Sequence, residues 1–220
     1  MKKKDTKAVP KKKKPLSIPG ELPDFGINLT EGTIEKREAE TVLKLKVKAE
    51  AKELIFMEKK DTFNKIITSF PAPGEYYHIV NNAKYDFYTI LPCIIDRLGP
   101  IEDCYVSTWT MNRNNTLDIM KQLDGGKIKN IGVLTGLFFK RRETAVYSQL
   151  MTGLLKRGQR FVAFKNHCKV LLAKTKNDYL VIEGSANFTS NPRLEQYVFT
   201  NNRKLFEFHK QWMEKFLNET

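Results

Sequence analysis

From residue 76 to residue 217 the chain alternates short apolar runs with amphipathic stretches, and glycine or proline closes many of them. Residues 77–80, 103–110, 128–139 and 160–164 read as strands. Residues 85–98, 114–123 and 143–156 read as helices, stopped by Gly99-Pro100, Gly125-Gly126 and Gly158. A strand pair follows at 169–173 and 179–182, then a strand at 194–200 and a closing amphipathic helix at 204–217. Strands alternating with helices predict an α/β domain with a largely parallel central sheet. No internal repeat of fixed period is present.

What precedes residue 76 is different in kind. Residues 1–33 are rich in lysine, proline and glycine, and read as a disordered arm. Its first 14 residues hold eight lysines, Lys11, Lys12, Lys13 and Lys14 among them, against Asp5 alone. That segment carries +7 of the chain's net +13 and leaves the body mildly basic at +6. Such a charge favours a polyanionic partner, nucleic acid or an anionic membrane surface. A solvated tail is the plainer reading of the lysine run, but a basic body beside it favours an arm that neutralises phosphates. Residues 34–70 form an extension of uncertain structure. Val42, Leu43, Leu45, Val47 and Ala49 alternate with lysines as in a strand near 42–49, although Ala39, Val42, Leu43, Ala51, Leu54 and Ile55 are also spaced for a helix. The expected division is therefore an arm at 1–33, an extension at 34–70 and a catalytic domain at 71–220.

No secretory signal or membrane span is expected, because proline and charge interrupt every apolar run. Cys93, Cys104 and Cys168 are odd in number and show no CxxC spacing, which argues against a disulfide framework or a zinc cluster and suits a cytoplasmic setting.

The chemistry concentrates between residues 166 and 189. The run Asn166-His167-Cys168-Lys169 enters one apolar strand, and Gly184-Ser185-Ala186-Asn187-Phe188-Thr189 leaves the next. Side chains two apart on a strand share a face, so His167 projects with Lys169, and Ser185 with Asn187. Paired strands lie about 4.8 Å apart, which lets all four converge on one phosphate-sized spot. An imidazole can attack phosphorus. A lysine and an amide can hold the non-bridging oxygens, where charge builds in the transition state. Gly184 is placed for close backbone approach. A lone HxK or a lone GSxN carries little information; joined across a hairpin inside an α/β pattern, they make chance a poor explanation.

HxK followed by GSxN resembles the HKD motif of the phospholipase D-like phosphodiesterase superfamily, and GSANFT looks like its small single-motif endonuclease branch. The likeness spans about residues 76–217. It implies a phospholipase D-like sandwich with a central mixed, largely parallel sheet flanked by helices. It also implies a nucleophilic or acidic His167, phosphate contacts from Lys169 and Asn187, support from Ser185, and Glu195 at the place of a histidine-orienting glutamate. None of this chemistry demands a metal or cofactor, and the resemblance implies that single-motif members pair as homodimers. The chain departs from the pattern at Lys174, where the family has aspartate, and the spacing from Lys169 to Gly184 is three residues longer. Asp178 is the candidate replacement.

The expected function is metal-independent cleavage of nucleic acid, DNA rather than RNA, through a phosphohistidine. The rivals are a non-catalytic nucleic-acid-binding protein of the same fold and a lipid phosphodiesterase at anionic membranes. Lys140, Arg141 and Arg142 form a basic cluster expected to open a helix and contact phosphate. Trp109, Met111, Asn112 and Arg113 end a strand and are placed either to border the pocket or to pack. His78 and His209 read as packing or surface residues.

Overall fold

The computed structural model describes residues 42–48, 51–57, 63–64, 67–81, 87–189 and 193–219. The arm at 1–33, with Lys11 to Lys14, lies outside the described residues, as does part of the 34–70 extension.

The strands are β1 (Val42–Lys48), β2 (Ala51–Met57), β3 (Tyr76–Asn81), β4 (Ile101–Thr108), β5 (Ile128–Gly136), β6 (Arg160–Phe164), β7 (Val170–Lys174), β8 (Tyr179–Gly184) and β9 (Glu195–Asn201). The helices are α1 (Ile90–Leu98), α2 (Arg113–Asp124), α3 (Leu137–Arg142), α4 (Thr144–Leu155) and α5 (Arg203–Asn218). Seven strands form the body of the sheet in the order β3-β9-β8-β7-β4-β5-β6, and the antiparallel hairpin β1–β2 adjoins β3, to which β1 pairs antiparallel and β2 parallel.

The fold class is the expected one, a mixed sheet flanked by helices. Its parallel share is smaller than the alternation of strands and helices predicts. Within the seven-strand body only β4–β5 and β5–β6 are parallel, while β3–β9, β9–β8, β8–β7 and β7–β4 are antiparallel. The reason is the β7–β8 hairpin: it inserts beside β4, far away in sequence, and reverses direction there.

Both faces of the sheet are covered, which explains why its central strands are apolar almost throughout. Val106, Leu171, Ala173, Leu180 and Ile182 pack on one side with Ile94 of α1, Ile119 of α2 and Leu150 of α4. Tyr105, Leu172 and Val181 point the other way, onto Phe206, Met213 and Leu217 of α5. Capping fixes where two of the helices begin. The Asn112 side chain accepts from the Asn115 N–H at 2.8 Å, and Asn202 accepts from Leu205 at 3.1 Å.

Two boundaries move the functional residues. The apolar run at 128–139 is not one strand: β5 stops at Gly136, whose partner Phe164 is the last residue of β6, and the chain turns into α3. Lys140, Arg141 and Arg142 consequently occupy the last turn of a helix and do not open one. Their charge there suits the negative end of the helix dipole.

Candidate active site

The strand directions bring one end of the sheet together around a cavity. β4, β5, β6 and β8 present their carboxyl ends there, and β7 and β9 their amino ends. The cavity has a volume of about 790 Å³, and His167, Lys169, Ser185, Asn187 and Glu195 all line it.

His167 and Lys169 sit just before β7, outside any assigned helix or strand. The Gly184 N–H donates to the Lys169 carbonyl at 3.1 Å, so the β7–β8 ladder continues past the end of the strand and sets Lys169 opposite Gly184. Lys169 is buried at 7% exposure. Its Nζ donates to the His167 carbonyl at 2.6 Å and lies 3.0 Å from His167 Nδ1. The donor and acceptor roles in that contact depend on the His167 tautomer. Burial lowers the Lys169 pKa, opposed by the charges of Cys168 and Glu195.

Ser185 and Glu195 form the opposite wall. The Ser185 hydroxyl donates to a Glu195 carboxylate oxygen and accepts from the Gln196 N–H at 3.0 Å. Asn187 turns its Oδ1 to the Trp109 N–H at 3.2 Å. Gly184 serves the sheet: a Cβ there would lie 2.7 Å from the Tyr197 ring and 2.8 Å from the Gln196 carbonyl, so the missing side chain accommodates β9, where a backbone approach to phosphate was expected.

The basic cluster divides. Arg142 lines the cavity, Lys140 lies over the Tyr147 ring, and Arg141 is exposed and absent from the cavity wall. Trp109, Met111, Asn112 and Arg113 all line it, as does Arg193. Lys174, at the family's aspartate position, pairs with Glu102 of β4 at the far end of β7. Asp178 accepts from Thr175 Oγ1 at 3.0 Å and from Asn201 Nδ2 at 2.7 Å, so it braces the β7–β8 turn and not the pocket. His78 is exposed on β3. His209 is buried on α5, where Nδ1 accepts from Trp212 at 3.1 Å and Nε2 lies 3.3 Å from Glu183. Neither lines the cavity.

Asn166 is a positioning residue that the sequence does not single out. Its side chain is buried, accepts from the Cys168 N–H at 3.0 Å, and donates to Ser107 Oγ at 2.9 Å and to the Leu134 carbonyl at 3.4 Å. Ser107 Oγ in turn donates to the Cys168 carbonyl at 3.1 Å. The peptide between His167 and Lys169 is thus held on both its polar groups. Asn166→Ala strips the Cys168 N–H of its partner and is expected to cost about 2 kcal/mol, roughly 4–8 °C in Tm for a domain of this size. Thermal melting checks this; a Tm within 1 °C of the parent would mean that the clamp contributes nothing.

Among the described residues, no group of three or more His, Cys, Asp or Glu side chains is arranged to hold a metal, and no helix is long and apolar enough to cross a membrane.

No protein-family model matches the chain, and no curated protein matches its sequence. Several solved structures resemble it. Nuc, a phospholipase D family member from Salmonella typhimurium, is 19% identical with a TM-score of 0.43, and the match covers 59% of this chain and 85% of Nuc. Phosphatidylserine synthase from Haemophilus influenzae Rd KW20 is 10% identical at a TM-score of 0.44, over 64% of this chain and 38% of the synthase. Polyphosphate kinase from Porphyromonas gingivalis is 11% identical at a TM-score of 0.51, over 70% of this chain but only 28% of the kinase. At such identities what is shared is the fold alone, a mixed sheet flanked by helices, and the match at a TM-score above 0.5 is to the kinase.

Proposed function

We propose that this protein is a phosphodiesterase that cleaves nucleic acid, DNA in the first instance, with His167 as nucleophile and a site completed across a homodimer. The observation that carries the reading is the convergence of His167, Lys169, Ser185 and Asn187 on one cavity whose lining is net positive: Arg113, Arg142, Lys169 and Arg193 against Glu143 and Glu195. Four cations around an imidazole suit a phosphodiester, and they supply fixed charge where the transition state gathers it on the non-bridging oxygens.

In the proposed reaction the imidazole attacks phosphorus, the P–O bond to the leaving oxygen breaks, and a second imidazole gives that oxygen its proton. Water then attacks the phosphohistidine, losing its proton to the second imidazole and freeing the first. The chain has three histidines, and only His167 lines the cavity. A two-fold pair of chains supplies the second ring, and such pairs are the commonest oligomers. Ser185 and Glu195 fix the wall opposite His167, and Lys169 and Asn187 take the phosphate oxygens.

The test is purified protein on plasmid DNA, RNA and phosphatidylcholine, each with and without EDTA. DNA cleavage that persists in EDTA is the expected result. Cleavage lost in EDTA and restored by magnesium would overturn the metal-independent mechanism. Turnover of phosphatidylcholine alone would favour the lipid reading. Nucleic-acid binding without cleavage would leave a phosphate-binding protein that retains the fold.

A further inference from the structure

Beside the phosphate-binding residues the cavity carries a feature that phosphate chemistry does not use. Trp109 and Phe138 stack with ring centroids 4.8 Å apart and planes 12° from parallel. The inner ring, Trp109, meets the His167 ring at 5.7 Å, and the outer ring, Phe138, is 43% exposed. Arg142, one turn further along α3, holds its guanidinium 5.9 Å from the Phe138 centroid. All four side chains line the same cavity.

The stack is built into the fold. A Cβ on Gly136 would lie 2.4 Å from Trp109 Cδ1, so the indole rests where only glycine leaves room at the end of β5. The Gly136 N–H donates to the Trp109 carbonyl at 3.3 Å, and the Trp109 N–H donates to Asn187 Oδ1 at 3.2 Å. The Trp109 backbone, from which the indole projects, is therefore fixed by the backbone of one neighbour and by a residue of the proposed reaction centre. An exposed phenylalanine gains little where it stands, since it leaves apolar surface in water.

We propose that the Trp109–Phe138–Arg142 stack is a platform for a nucleobase, and that the substrate strand is unpaired at this site: single-stranded nucleic acid, or a nucleotide turned out of a duplex. The proposal rests on the nucleic-acid reading above and deepens it. In a duplex each base has both faces covered by its neighbours, so only an unpaired base has a face to offer. Aromatic rings take such faces with little regard to sequence, and a guanidinium plane stacks in the same manner while also pairing with phosphate. A cavity of about 790 Å³ is of small-molecule size, which admits a nucleotide but not the breadth of a double helix.

The experiment measures binding by fluorescence anisotropy with full-length His167→Ala protein, which does not consume the probe. The probes are a labelled single-stranded thymidine oligonucleotide, an abasic oligomer of equal length and label, and a duplex. Contacts to phosphate, including any from the lysine arm, are common to the first two probes and cancel in their ratio. The base-bearing strand is expected to bind on the order of tenfold tighter than the abasic one, within the range for stacking one base. Adding Phe138→Ala or Phe138→Leu should bring the ratio close to one, and Phe138→Trp should restore it. Phe138→Leu keeps apolar bulk without a π-face, so it separates stacking from folding, and melting curves confirm that each variant is folded. Equal affinity for the two strands, or a ratio that survives Phe138→Leu, would overturn the platform alone. Failure of every oligomer to bind would overturn the nucleic-acid reading with it.

Discussion

Replacing His167 with alanine is expected to reduce phosphodiester cleavage about 10⁴-fold or more, the scale on which enzymes lose turnover when their nucleophile is removed. The loss should appear in kcat and not in KM, because the cations proposed to hold the substrate remain in the cavity lining. The same variant tests the shared site. An in-line displacement requires a nucleophile on one side of phosphorus and a proton donor on the other, and a single imidazole cannot occupy both. His78 is exposed on β3 and His209 is bonded to Trp212 and Glu183, so neither is placed to supply the second. Wild-type and His167→Ala subunits mixed and re-equilibrated in equal amounts should therefore retain about a quarter of the activity, since random pairing leaves one dimer in four with two histidines. Half the activity would show that each chain works alone. Light scattering that finds an active monomer would say the same, and the single imidazole would then need another proton donor.

What the sequence revealed of this site follows from how local each piece of geometry is. The hairpin that brings His167 and Lys169 near Ser185 and Asn187 is readable from residues 166–189, but the strand period of two is not what joins them: the register sets Lys169 opposite Gly184, and the four side chains meet on the cavity from segments that lie just outside β7 and β8. The three extra residues fall in the β7–β8 turn, where Thr175, Asp178 and Asn201 tie it off while the strands stay paired. Non-local decisions were out of reach. Apart from its glycines, nothing in the run at 128–139 marks where β5 loses its partner β6, yet that point decides that Phe138 and Arg142 sit on a helix over the cavity and do not continue a strand. Gly136 was the available signal, because a glycine inside an apolar run suggests a bulge or a close approach. The sense of the sheet was likewise hidden, since β7 and β4 become neighbours only in the folded chain. Asn166 was passed over for a similar reason: its partners Ser107 and Leu134 lie on two other strands.

Lys169→Met should separate function from stability at this site. Removing the cation takes fixed charge away from the non-bridging oxygens, and a loss of about 10²–10³ in kcat is expected. Stability should move little, or in the opposite direction. Lys169 is buried, and burial lowers its pKa, so the folded state holds the ammonium less readily than the unfolded chain does. The sign of the linkage follows. Below the folded pKa both states are charged and the folded state bears the full desolvation cost; as pH rises through that pKa the folded lysine loses its proton and the cost is relieved. Methionine matches the apolar stem without the charge, and replacing a buried charge by an apolar side chain of similar shape is often neutral or stabilising. Against this stands the lost bond from Nζ to the His167 carbonyl, so the variant should melt at the same temperature as the parent or a few degrees higher at pH 7. Any advantage should shrink as the pH is raised towards the ordinary lysine pKa of about 10.4. The kcat of the unaltered protein should fall over that same alkaline interval, at a lower pH than an exposed lysine would dictate, as the phosphate-holding cation is lost. Melting curves and initial rates between pH 7 and pH 10 check both halves. A variant within threefold of parental activity would remove Lys169 from the phosphate site, and one that melts well below the parent at every pH would make the lysine a structural brace for the His167 segment.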